Sequence, residues 1–163
     1  MRRRPLLAAA LSLGGLGALQ IALAQTEPTG PQPELAKEKL VIVTHDGRHL
    51  DFDVEVARTA EQQITGLMFR KSVPPTGGML FVWGASRESQ MWMRNTLVPL
   101  DMVFINSDGT IRHIAEDTVP ESLAVIDSGG PVAATLELAG GVTAKLDIRV
   151  GDKVLNKSLG TAP

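Results

Sequence analysis

The chain has 163 residues, of which 44% are hydrophobic and 21% charged, a composition that suits one globular domain and excludes wholesale disorder. It contains no cysteine, which excludes disulfides, thiolate nucleophiles and cysteine-held metal clusters. Three of its sixteen basic residues are Arg2, Arg3 and Arg4, and without them thirteen basic residues stand against eighteen acidic ones, a net charge of −5. Because such an acidic domain is a poor match for nucleic-acid phosphates, we expect no nucleic-acid partner.

The N-terminal segment has the pattern of an export signal. The basic residues 2–4 precede an apolar run over residues 6–23, and Ala22-Leu23-Ala24 is a small-x-small motif of the kind that signal peptidase accepts. The sequence therefore predicts a signal peptide over residues 1–24 and a periplasmic or secreted domain with no membrane attachment after cleavage. A retained anchor is less well supported, because Gln20 and three glycines interrupt the apolar run. Residues 3–7 also partly match a twin-arginine signal, so the export route stays open.

The next residues predict a linker and then a strand hairpin. Residues 25–37 are rich in proline and polar side chains, which indicates a linker before a single domain over residues 38–156 and a tail over residues 157–163. Apolar residues 40–43 and alternating residues 50–56 flank a two-residue turn at Asp46-Gly47.

A short helix and a series of strands follow. Thr59 and Gln62 have the spacing of a capping box, which predicts a helix over residues 60–69 with Gly66 packed closely inside it. The remaining pattern predicts strands over residues 79–83, 90–96, 102–106, 110–115, 133–138 and 145–150. About eight short strands with one short helix indicate a mainly β protein, either a β-sandwich of jelly-roll type or a partly closed barrel.

Four blocks of the sequence closely resemble the domain of unknown function 192 family. They are TAEQQITGLMFR at residues 59–70, GMLFV at 78–82, WMRNTLVPLD at 92–101 and LELAG at 136–140. The resemblance covers about residues 50–154. It implies a compact, mostly β domain that is often exported, and it implies no established reaction.

The motifs of common enzyme classes are missing from the sequence. There is no H-E-x-x-H, no G-x-S-x-G, no Walker loop and no G-x-G-x-x-G. His45 and His49 flank the predicted turn and His113 stands alone in a predicted strand, which favours solvated histidines over a metal site. We therefore expect no metal and no cofactor, and the sequence identifies no catalytic residue.

Residues 92–101 carry the best candidate surface. On a strand, Trp92, Arg94 and Thr96 would share one face, where an indole beside a guanidinium suits a carboxylate, a phosphate or a sugar ring. We predict that a small polar or anionic ligand, or an envelope component, binds to Trp92, Arg94, Asn95, Asp101, Glu137 and Arg70. The structural alternative is that Asp101 forms an ion pair with Arg94 or Arg70 and only holds the turn.

Two other functions stay open beside the preferred one. Asp101 and Glu137 would form the acid–base pair of an envelope glycan or peptide hydrolase if they shared one cavity. Met91 and Met93 would place two soft thioethers on one strand face, as a Cu(I) carrier requires, although methionine more often fills cores. The sequence favours a monomeric, non-catalytic binding or accessory module of the cell envelope over both.

The predicted cleavage site is directly testable. We expect the exported protein to begin at Gln25, because Ala22 and Ala24 occupy the positions at which signal peptidase requires small side chains. Intact mass or Edman sequencing of the exported protein measures its first residue. Any other N-terminus contradicts the boundary, and an uncleaved chain supports the anchor instead.

Overall fold

The computed structural model describes residues 27–162, and the predicted signal peptide lies outside them. The elements in chain order are β1 (Lys37–Val43), β2 (His49–Ala57), α1 (Ala60–Thr65), β3 (Met79–Met91), β4 (Leu100–Ile105), β5 (Ile111–Ala115), β6 (Ile126–Ala139), α2 (Val142–Leu146), β7 (Lys153–Asn156) and a 3-10 turn (Lys157–Leu159). Within this part of the chain, no helix has the length and apolar character needed to cross a membrane. The mainly β prediction is confirmed, with seven strands in place of about eight.

The strands form one sheet that almost closes into a barrel. Their order is β5-β4-β6-β3-β2-β1-β7, and each neighbouring pair is antiparallel except β2 and β3, which are parallel. A bridge between Thr110 and Lys153 joins the two ends of the sheet. Closure of this kind removes unpaired edges that would otherwise attract other chains.

Two hydrophobic cores lie on opposite faces of the sheet. All seven strands contribute to the interior core, in which Leu40 and Leu136 are fully buried. A second core covers the outer face of β3, β4 and β6 and includes Phe81 and Met102. Because β4 is buried on both faces, all six of its residues are inaccessible to solvent, and its sequence does not alternate between apolar and polar residues.

The first predicted elements are confirmed with changed boundaries. Val43 pairs with His49 across the predicted hairpin, but the turn covers residues 44–48 and so exceeds two residues. The capping box is present, since the Thr59 side chain accepts a hydrogen bond from the Gln62 backbone and the Gln62 side chain accepts one from Thr59. The helix ends at Thr65, because Gly66 adopts a φ of +47° and turns the chain out of the helix.

Two predicted strands are wrong. The strand over residues 90–96 stops at Met91, because Met93 turns into the core and Asn95 adopts a left-handed φ of +54°. Residues 145–150 form the end of α2 and a turn, because the backbone and hydroxyl of Thr143 are bonded to the Asp101 carboxylate and hold the first turn of that helix. The last strand is β7, which pairs with β1.

The proline-rich segment before β1 is bound to the domain along residues 27–36. The Gln32 side chain donates hydrogen bonds to the backbone oxygens of Gln62 and Gly66 at the end of α1. The backbone amide of Leu35 donates to a Glu55 carboxylate oxygen at 2.7 Å. This part of the predicted linker therefore passes beside the same helix that borders the candidate site.

Replacing Gly66 with alanine should lower stability by about 1 kcal/mol or more. The positive φ disfavours a side chain, and an added Cβ would lie 3.0 Å from the Phe81 ring. Gly84→Ala is the matched control, since Gly84 also has a positive φ but no heavy atom within 4 Å of an added Cβ. Urea unfolding of both variants separates backbone cost from packing cost, and equal losses would contradict the packing against Phe81.

Candidate functional site

An open pocket of about 310 Å³ lies on the outer face of the barrel, between α1 and strands β3 and β6. This volume is within the range of small-molecule sites. Apolar and aromatic side chains form most of the wall, and only two of the lining residues, Arg87 and Glu137, carry ionisable side chains. The lining residues that matter most for its chemistry are Phe81, Trp83, Arg87, Met91, Trp92 and Glu137.

Glu137 is a buried carboxyl group at the pocket. It lies near the C-terminal end of β6, opposite Met79 of β3 and Met102 of β4, and only 4% of its surface is exposed. Its Oε2 atom has no hydrogen-bond partner among the described residues. Burial raises the pKa of Glu137 to about 8, because the charged form is poorly solvated there. The group is therefore largely protonated at neutral pH.

Two tryptophans supply flat surfaces beside this carboxyl group. The Trp83 ring packs against Phe81 with 5.8 Å between ring centroids, and the Arg87 guanidinium lies 4.3 Å from the centre of the indole ring. The indole nitrogen of Trp83 is buried and has no partner within residues 27–162. Trp92 is 47% exposed and borders the same pocket. The lining residues thus provide aromatic faces, and two of them, Trp83 and Glu137, each carry a buried polar atom that has no partner among the described residues.

The exposure of Trp92 follows from the turn that contains it. Met93 is fully buried, and its backbone oxygen accepts a hydrogen bond from the Thr96 amide at 3.0 Å. The prediction that Trp92, Arg94 and Thr96 share a strand face is wrong, because β3 ends at Met91 and residues 93–96 form a turn. Arg94 nevertheless lies 5.4 Å from the Trp92 ring centre, and it forms an ion pair with Glu27 at 2.9 Å.

Asp101 is buried inside the fold and does not line the pocket. Its Oδ1 atom accepts hydrogen bonds from the backbone amides of Asp117 and Gly141, and its Oδ2 atom accepts from the amide and hydroxyl of Thr143, all between 2.7 and 2.9 Å. The alternative ion pair with Arg94 or Arg70 is not formed. Asp101 instead connects β4 to the loop after β5 and to the start of α2.

The two carboxyl groups of the hydrolase hypothesis face opposite sides of the sheet. Asp101 pairs with Leu138, a residue of the interior core, whereas Glu137 pairs with Met79 and Met102 of the outer core. Since successive side chains of a strand alternate between faces, the sheet itself separates Asp101 from Glu137. An acid–base pair of these two residues is therefore not present.

Arg70 and Asn95 form their side-chain contacts with residues other than the two tryptophans. The Arg70 guanidinium lies 3.1 Å from a Glu55 carboxylate oxygen, in a separate depression of about 270 Å³. The Asn95 side chain points to the Met68 sulfur at 3.9 Å, and its backbone oxygen accepts a hydrogen bond from Phe69. Of the six predicted ligand-binding residues, only Trp92 and Glu137 line the same pocket.

The two methionines of the Cu(I) hypothesis lie in different surroundings. Met91 lines the pocket, whereas Met93 is fully buried and its sulfur lies 3.1 Å from the Thr118 hydroxyl. The shared strand face that the hypothesis required does not exist, because β3 ends at Met91. In residues 27–162 no group of three or more His, Asp or Glu side chains is placed to hold a metal ion.

Sequence reasoning missed Trp83 and Arg87. Phe81 and Trp83 are two positions apart on β3, and the ladder places Phe81 opposite Thr135, on the face that also carries Glu137. The two-residue spacing of Phe81 and Trp83 is visible in the sequence, and it could have predicted that Trp83 lies on the same face of the sheet as Glu137. The bulge between Val82 and Arg87 was not visible, and the Arg87 guanidinium reaches the Trp83 ring just beyond it.

Asp101→Asn and Arg94→Ala should affect stability very differently. An amide at position 101 would turn a donor toward backbone N–H groups, so we expect a loss of about 3 kcal/mol. Arg94→Ala removes a surface ion pair with Glu27 and should cost less than about 1 kcal/mol. Urea unfolding measures the free energy of unfolding of both variants. Similar, large losses in the two would contradict a buried Asp101 and a surface Arg94.

Glu137→Gln should stabilise the protein relative to the parent by an amount that grows as the pH rises from about 4.5 to about 8. Between the ordinary pKa of 4.5 and the folded value of about 8, the unfolded chain loses the Glu137 proton while the folded protein keeps it. The free energy of unfolding of the parent therefore falls as pH rises through this window, by at most about 1.4 kcal/mol per pH unit, and glutamine avoids the loss.

Denaturation of parent and variant across this window measures the difference. Glu88→Gln, which neutralises an exposed carboxylate on β3, is the control and should show a nearly constant difference. A Glu137→Gln advantage that stays the same below and above the window would contradict the buried, protonated state.

Comparisons with known proteins agree with the sequence resemblance. The family model DUF192, described as Uncharacterized ACR, matches residues 41–155. A comparison with curated proteins gives no match. A solved structure from Sinorhizobium meliloti 1021, assigned only provisionally as a transcription regulator, is 46% identical with a TM-score of 0.76, and the match covers 78% of this chain and 98% of that one. A protein of unknown function from Novosphingobium aromaticivorans DSM 12444 is 35% identical with a TM-score of 0.72, over 80% of this chain and 93% of that one. The chain therefore belongs to the DUF192 family.

Proposed function

We propose that this protein is an exported, non-catalytic binding module of the cell envelope that holds a small polar molecule in the pocket between α1 and the outer face of β3 and β6. The observation that carries the proposal is the Glu137 side chain, which lines an open pocket and has a buried oxygen without a partner. Folded proteins rarely leave such atoms unsatisfied, because the loss of hydration costs about 1–3 kcal/mol. A bound molecule that hydrogen-bonds to Glu137 would remove that cost.

The walls of the pocket support the same interpretation. Trp83 and Trp92 offer flat apolar surfaces, and the Trp83 indole N–H is a second polar group without a partner among the described residues. Few polar groups within a largely apolar wall are typical of sites that orient one small ligand. The matching ligand has a planar or apolar body and at least one group that can form a hydrogen bond.

The composition of the pocket favours binding over catalysis. Glu137 is the one carboxyl group among the described lining residues, and these include no histidine, serine, cysteine or lysine. Two-carboxylate hydrolysis needs a second carboxyl group within reach.

The charge and the N-terminus support the remaining parts of the proposal. The Sinorhizobium meliloti relative is assigned provisionally to transcription regulation, but a net charge of −5 outside the N-terminal arginines does not favour contacts with phosphates. The pattern of residues 1–24 supports export.

Retention of small molecules from an envelope extract tests the binding function. Ala60 is exposed on α1 and lines the pocket, so Ala60→Phe should fill part of it while the fold persists. Ala124→Phe places the same ring at an exposed site outside the pocket and is the matched control. We expect mass spectrometry to find a molecule retained by the parent and by Ala124→Phe but lost in Ala60→Phe. Equal retention by all three proteins, or none by the parent, would overturn the proposal.

A further inference from the structure

We propose that the pocket selects molecules with a primary or secondary ammonium group, which binds against the Glu137 carboxyl group; this inference rests on the proposed binding function. The ligand class follows from the two kinds of group that the pocket combines. One is a buried acid without a compensating cation, and the other is a set of aromatic rings.

The surroundings of Glu137 contain no built-in counter-charge. Its ladder neighbours Met79 and Met102 are uncharged, and the other ionisable lining residue, Arg87, is exposed at the rim and stacked on Trp83. Because Glu137 is largely protonated in the free protein, an ammonium group that binds there displaces the Glu137 proton to solvent and pairs with the carboxylate, whereas a hydroxyl only hydrogen-bonds to the neutral acid. Charge-assisted hydrogen bonds are roughly twice as strong as neutral ones, so the ammonium group should bind more tightly.

The aromatic rings suit the apolar body of the molecule, because a guanidinium of the protein already lies near each tryptophan ring. Arg87 is 4.3 Å from the Trp83 ring centre and Arg94 is 5.4 Å from the Trp92 ring centre. Because Arg87 repels a positive group held at the rim, the ammonium of a bound molecule is expected next to Glu137. The acidic net charge of the domain attracts cations generally, which adds to this preference.

The anionic ligand that the sequence suggested fits this arrangement less well. That suggestion relied on Arg94 and Arg70, but Arg94 is paired with Glu27, and Arg70 is paired with Glu55 in a separate depression. An anion in the pocket would lie beside Glu137 with Arg87 as the one cationic lining residue among those described. The charges of the residues that line the pocket therefore favour a cation over an anion.

Three probes with the same phenyl body and different head groups test this inference. They are phenethylamine, 2-phenylethanol and 3-phenylpropionate, which are cationic, neutral and anionic near neutral pH. Trp83 and Trp92 are the two tryptophans of the chain and both line the pocket, so tryptophan fluorescence reports directly on binding. We expect the amine to bind at least about tenfold more tightly than the alcohol and the acid to bind least tightly.

Two variants assign the preference to Glu137. Glu137→Gln should reduce the difference between amine and alcohol to less than about threefold, and Glu88→Gln, which removes an exposed charge outside the pocket, should leave it unchanged. The ranking of the three probes on the parent decides the question even if a variant folds poorly.

The outcomes separate this inference from the binding function. Equal or tighter binding of the alcohol or the acid overturns the ammonium preference and leaves the binding function standing. Binding of none of the three probes also overturns the preference, and the extract experiment then decides the binding function independently.

Discussion

Where β3, β6 and β4 lie side by side, they are covered on both faces, so any polar side chain on them must find a partner inside the protein or remain unsatisfied. Two neighbouring positions show the two outcomes. Asp101 faces the interior side and accepts four hydrogen bonds from the loop after β5 and the start of α2. Glu137 faces the outer side, where its Oε2 atom accepts none from the described residues. The first carboxylate organises the fold, and the second gives the pocket its chemistry.

The segment that resembles the family most strongly is explained by its turn. Met93 is buried, Asn95 occupies a left-handed conformation, and Thr96 is buried behind them, so the chain reverses and leaves Trp92 exposed. The backbone amide of Met93 also donates a hydrogen bond to the backbone oxygen of Ser122 at 3.0 Å, which connects this turn to the loop after β5. The block therefore has a structural role, in which Met93, Thr96, Leu100 and Asp101 are buried. From residues 92–101, Trp92 and Thr96 line the pocket.

Local patterns predicted local features well. The hairpin before His49, the Thr59 capping box and the mainly β class depend on neighbouring residues, and each is confirmed in type if not in length. The candidate site depended on contacts between distant parts of the chain. Asp101 is satisfied by groups 16 to 42 residues away, which no periodicity reveals.

The same limit explains the misplaced strands and site residues. A strand and a turn with alternating polarity have similar sequences, so residues 90–96 and 145–150 could not be distinguished from strands without the core contact of Met93 and the anchoring of Thr143. Two of the predicted ligand-binding residues, Glu137 and Trp92, line one pocket. The sequence marks Glu137 as a lone acid in an apolar strand and Trp92 as a large ring in a distinctive block. Their shared pocket required the sheet register, which places Glu137 opposite Met79.

The pocket depends on Glu137, a buried acid that the described residues leave without a compensating cation. The most direct measurement is an NMR titration of the protein labelled with ¹³C at glutamate carboxyl groups, with Glu137→Gln used to assign the resonance. We expect the Glu137 resonance to titrate with a midpoint near the raised pKa of about 8. A midpoint near the ordinary glutamate pKa of 4.5 would show that the carboxyl group is solvated or paired, and that the pocket holds no uncompensated acid.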